Sequence, residues 1–137
     1  MTISQNNCMR TLCLILLTLI SLSLSGQTQA EMNKQAADSY REIDQELNDI
    51  YKKILIEYKS DTAFIKNLKS SQRIWITFRD AEVKMKYPDR EPGFYGSIHP
   101  ICVFDYMGKL TQDRINTLKQ WIDNANSGDG CGGSIKF

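Results

Sequence analysis

The chain has 137 residues, 42% hydrophobic and 24% charged, with 17 Lys and Arg against 16 Asp and Glu. That length suits one small domain whose single core is adequate but not generous. The near-neutral balance argues against a nucleic-acid binder, which needs a basic stripe to replace phosphate counterions, and it supplies no strong field to draw in a charged partner.

Residues 1–30 read as a secretion signal. Arg10 precedes the apolar run LCLILLTLISLSL, and Thr28 and Ala30 put small residues at both recognition positions of a signal peptidase site before Glu31. The run is shorter than the roughly 20 residues needed to span a bilayer comfortably. Export to the periplasm or beyond is therefore expected, with no stable membrane insertion after cleavage.

From Met32 to Tyr58, the residues Ala36, Tyr40, Ile43, Leu47, Ile50 and Ile54 recur at alternating steps of four and three, the period of an amphipathic helix with a seam for a partner. Asn33 is a candidate cap. Ser60 and Asp61 make a short polar break and a second cap. A second helical rhythm then runs through Phe64, Leu68, Trp75, Phe78 and Met85 to Tyr87 and Pro88. So short a connection predicts an antiparallel hairpin. In its register Ile54 faces Ile65, Ile43 faces Ile76, Asn48 comes near Gln72, and Tyr40 comes near Arg79.

The stretch PDREPGFYG, residues 88–96, has the composition of an irregular loop. Ser97 and Pro100 then open a short helix that Gly108 stops. A final helix is expected from a Thr111 cap to about Asn126, with Leu110 and Ile115 as a hydrophobic staple. The tail SGDGCGGSIKF shows no core pattern. The expected architecture is all-α: a long antiparallel hairpin packed with a short helix and a C-terminal helix, over residues 31–126, with 127–137 a flexible Gly-rich tail.

Once the signal is removed, Cys102 and Cys131 are the two remaining thiols. In an oxidising compartment an even pair predicts a disulfide worth roughly 3 kcal/mol through restriction of the unfolded chain. The alternative leaves Cys131 unbonded or paired between molecules in a mobile tail.

Gly128, Gly130 and Gly133 spell a dinucleotide-binding pattern, but no strand precedes them and no helix follows. The run from Asp123 has Ala125 at a calcium-ligand position. His99, the single histidine, has only Cys102 near it as a second metal ligand and no serine elbow as a catalytic partner. No catalytic residue, cofactor or metal is expected. Gln72, Trp75, Arg79 and Asp80 share one side of a helix or its margin. The structural reading makes Trp75 a core anchor, pairs Gln72 with Asn48, and ties Arg79 to Asp44 or Tyr40 so that the seam cannot slide. The functional reading puts Arg79 and Asp80 at the rim of a partner surface. The loop residues Arg90, Phe94 and Tyr95 are the candidates for partner contact, because aromatic loop side chains offer binding area at modest entropy cost.

One pattern runs through Met32, Asn33, Tyr40, Asp44, Leu47, Asn48 and Tyr51. It continues through Leu68, Gln72, Arg73, Trp75, Arg79 and Asp80, then Gly96, Ser97 and Cys102, and last Leu110, Thr111 and Arg114. In order and spacing it resembles the small exported bacterial proteins that share the LprI-type lysozyme-inhibitor domain. The likeness extends to about Leu118. Relatives often carry cysteine where this chain has Gln35 and Val83, which the hairpin register places near each other, so the departure is consistent with loss of one clasping disulfide. The resemblance implies a compact helical domain and inhibition of lysozyme by protein contact. The expected function is thus an exported envelope protein-binding module, a lysozyme inhibitor or, alternatively, an accessory protein that binds another envelope component.

Overall fold

The computed structural model describes residues 3–123 and 130–136, with side chains from residue 28 onward. Among these the structure is three helices: α1 (Ile3–Glu57), α2 (Thr62–Lys86) and α3 (His99–Lys119). No helix among the described residues is long and apolar enough to cross a membrane. The expected cleavage position before Glu31 falls within α1, which also passes through Asn33 instead of being capped there. Asn33 accepts a hydrogen bond from Gln29 one turn earlier.

Helix α1 ends where Tyr58 N–H still bonds Ile54 O, and Asp61 N–H closes the turn onto Tyr58 O. Asp61 then caps α2 as expected, its carboxylate accepting from Phe64 N–H at 2.9 Å. Farther along, the Tyr40 hydroxyl accepts from Arg79 at 3.0 Å, which fixes an antiparallel hairpin in the expected register at that level. The core forms where the three apolar faces meet: Leu47 and Ile54 of α1, Tyr58 in the turn just after it, Leu68 of α2, and Ile115 and Leu118 of α3 are all buried.

The helices do not contribute equally. Helix α3 lies closest along α1 and touches α2 less, while the α1 and α2 backbones stay farther apart and are bridged by long side chains. Two expected hairpin contacts change accordingly. Asn48 bonds Asp44 on its own helix, Gln72 turns to Arg114 of α3, and Ile76 remains 41% exposed. The third helix occupies the seam that the pattern of two helices assigned to each other.

The short and final helices are one element. Gly108 does not stop α3; it is buried where a Cβ would stand 3.3 Å from Ile43 Cδ1, so its bareness lets α3 approach α1. Thr111 is fully buried and donates to Met107 O at 2.8 Å, which removes it as a cap and removes the Leu110 staple with it. The helix ends at Lys119, Trp121 and Ile122 follow in a turn, and Asn126 lies outside the described residues.

No disulfide joins Cys102 to Cys131. Cys102 stands in the first turn of α3, with about 25 Å of helix between it and Lys119 at 1.5 Å per residue. The segment bearing Cys131 docks at the opposite end, where Ile135 is buried and Lys136 N–H donates to the Tyr58 hydroxyl at 3.0 Å. Part of the expected flexible tail is thus packed, and its docking holds the two thiols at opposite ends of α3.

Candidate functional site

Trp75 sits half-buried on α2 with an arginine on either side. Arg79 Cζ is 5.4 Å and Arg114 Cζ 5.9 Å from its ring centroid, within reach of cation–π attraction. Helix geometry explains the first neighbour, since residues four apart share a face, and the α2–α3 contact supplies the second.

The two cations are held differently. Arg79 donates through Nε and Nη2 to Asp80 Oδ1 at 2.9 and 2.8 Å and through Nη1 to Tyr40, with Asp44 3.6 Å away. Its side chain is 13% exposed, and two carboxylates balance it. Burial lifts the Tyr40 phenol above its usual range, opposed by the Arg79 charge. Arg114 instead donates to neutral acceptors, Gln72 Oε1 at 3.0 Å and Ser71 Oγ at 3.1 Å. Burial pushes its guanidinium below the usual value.

The expected cluster is therefore assembled in part. Tyr40, Asp44, Trp75, Arg79 and Asp80 come together, Gln72 joins through Arg114, and Asn48 stays exposed beside Asp44. Arg114 was visible in the sequence only as one residue of the family pattern. A sharper signal was present: its helix neighbours three and four away are Leu110, Thr111, Thr117 and Leu118, none acidic, whereas Lys109 has Asp105 four residues back.

In the loop, Tyr95 and Phe94 part company. Tyr95 stacks on His99 at 4.5 Å, meets Tyr87 edge-on at 5.8 Å, and donates its hydroxyl to Pro88 O at 2.8 Å. It ties the loop to the start of α3. Phe94 is 66% exposed, with Arg90 Cζ 5.8 Å from its ring. Positive φ at Gly93 and Gly96 turns the chain on either side of this pair. His99 stands at the start of α3, half-buried in the stack, and its Nε2 is buried without a hydrogen-bond partner among the described residues. No group of three or more His, Cys, Asp or Glu among the described residues is placed to hold a metal ion.

A groove of about 510 Å³ opens between α1 and α3, floored by Ala36, Tyr40, Ile43, Phe104 and Gly108. It is open along one side and bordered by the Asp105–Lys109 ion pair at 2.8 Å.

Two comparisons place this arrangement. A family model described as lysozyme inhibitor LprI matches residues 23–118, which takes in all of α2 and nearly all of α3. An uncharacterized protein of Rhizobium meliloti (strain 1021) is 28% identical over 114 residues, covering 73% of this chain and 78% of that protein. No solved structure matches.

Proposed function

This chain belongs to the LprI lysozyme-inhibitor family, and on that premise we propose that it is exported, cleaved before Glu31, and inhibits a lysozyme by protein contact as a binding protein and not an enzyme. The observation that carries this reading is the extent of the family match, residues 23–118, which spans the scaffold as well as the loop. The contact element we assign is the 88–96 loop. Phe94 and Arg90 stand outward as a paired aromatic and cation, the residue types that most often dominate binding energy. Tyr95 supports them from behind, so the loop meets a partner with part of its ordering cost already met.

Muramidase activity measured against increasing protein tests the proposal. Inhibition is expected at about micromolar protein, weakened roughly tenfold or more in the Arg90→Ala/Phe94→Ala double variant. Several lysozyme types left fully active at that concentration reject the inhibitor reading. Inhibition that survives the double variant rejects the loop.

A further inference from the structure

Arg114 is a cation without a counter-charge among the described residues. No carboxylate among the described residues ion-pairs with it. Its Nε and Nη2 are occupied by Gln72 and Ser71, which hold the guanidinium in one place and leave Nη1 without an acceptor among the described residues. An arginine stays charged in any protein setting, so a half-buried one positioned by neutral groups is ready to accept an anion. Arg79, on the same indole, shows what a compensated site looks like: Asp80 and Asp44 are both at hand.

Beside Arg114 lies an apolar strip. Ile74, Phe78, Ala81 and Met85 follow at i, i+4, i+7 and i+11 on α2, so they line one side of the helix. Ile74 is 66%, Phe78 51% and Met85 68% exposed. The groove at the head of this strip is lined by Asn67, Ser70, Ser71, Ile74, Trp75 and Phe78, all uncharged. Ser71 is also the residue that holds Arg114, so the cation borders a groove that contains no carboxylate.

We propose that this edge of α2 and α3 docks a protein segment that presents a carboxylate to Arg114 and an apolar side chain to Ile74 and Phe78. The complementarity is twofold: the fixed cation selects an acidic group and can donate a charge-assisted bond through Nη1, and the strip selects an apolar neighbour on the same segment. A phosphate backbone satisfies the first demand and leaves the apolar strip uncovered. The surface shares no residue with the 88–96 loop, so it stands or falls separately from lysozyme inhibition.

The test is a titration of the purified protein with N-acetyl-Leu-Glu-Leu amide, read by NMR at the Arg114 Nε–H and Trp75 indole resonances. The glutamine counterpart and inorganic phosphate serve as the other two arms. Both resonances should shift with the Glu peptide at about millimolar concentrations, at least roughly fivefold more tightly than with the Gln peptide or with phosphate. Arg114→Gln should erase the preference for Glu. Because that change also removes the link to Gln72 and Ser71, a second variant, Ile74→Ser/Phe78→Ser, keeps the cation intact and should weaken the Glu peptide about threefold or more. Equal binding of the Glu and Gln peptides, phosphate binding as tight as the Glu peptide, shifts centred elsewhere, or full affinity in the Ile74→Ser/Phe78→Ser variant would each overturn the proposal.

Discussion

The indole of Trp75 separates two arginines that do different work. Arg79 joins α2 to α1 through Tyr40 and Asp44, which makes it a strut between the two helices of the hairpin. Its planar fork serves Asp80 and Tyr40 at the same time, which a lysine's single nitrogen cannot do at those positions. Removing one partner of a half-buried hydrogen bond leaves the other desolvated, so the coupling is measurable. A double-mutant cycle of Tyr40→Phe and Arg79→Met, followed by urea unfolding, should give a coupling of about 1 kcal/mol. Additive single effects would mean that the bond contributes nothing in solution. Tyr40 and Arg79 were legible as a pair because one turn position sets the whole register of two helices. Gln72 was misassigned to Asn48 for a physical reason: pairing rules for two helices do not anticipate that a third will supply a better donor, the Arg114 guanidinium.

Helix α3 is where local sequence rules and tertiary packing diverge. Gly108 has the composition of a stop signal, and Thr111 that of a start signal, yet both lie buried inside one helix. Glycine costs a helix interior about 1 kcal/mol relative to alanine, and the close approach of α3 to Ile43 of α1 offsets part of that cost. Thr111 meets its own hydroxyl's need by bonding Met107 O, so it enters the core without an orphaned polar group. Asp61 was read correctly because its role is local: a carboxylate three residues ahead of an unpaired N–H needs no tertiary context. Two substitutions test the close-approach account. Alanine at 108 displaces only the terminal Cδ1 of Ile43, which borders the open α1–α3 groove and has room to turn. Gly108→Ala should therefore raise stability by roughly 0.5 kcal/mol, most of the propensity gain remaining. Gly108→Leu should lower it by about 1–3 kcal/mol, because a side chain branched at Cγ crowds Ile43 at the helix contact far more than a single methyl does and can escape only by turning out into the groove. Equal stability of all three forms by chemical denaturation would show that α3 does not lean on α1 at this point.

At the scale of the whole molecule, the end of the chain completes the core at the hairpin turn. Tyr58 is 1% exposed because it is covered from several directions: Phe64 lies 4.7 Å away ring to ring, and the Tyr58 hydroxyl donates to Trp121 O at 3.2 Å. The same hydroxyl accepts from Lys136 N–H, and the Lys136 ammonium lies 4.5 Å from its ring while bonding Glu57 O. Ile135, 6% exposed, is the apolar plug of this end, beyond residue 118 where the family match stops. Nothing in the tail's glycine-rich composition pointed to docking, since one isoleucine has no periodicity to reveal it. What makes it bind is the Tyr58 hydroxyl, which needs a donor as well as an acceptor once buried. Ile135→Asp places a charge against that surface and should cost roughly 2–4 kcal/mol, lowering the urea midpoint with little change in helix content before unfolding. Lys136→Ala should fall within about 0.5 kcal/mol of wild type, because the side chain is exposed and the backbone N–H that bonds Tyr58 is retained. If both variants unfold at the wild-type midpoint, the segment contributes nothing to the fold, and Tyr58 must be satisfied through Trp121 and solvent alone.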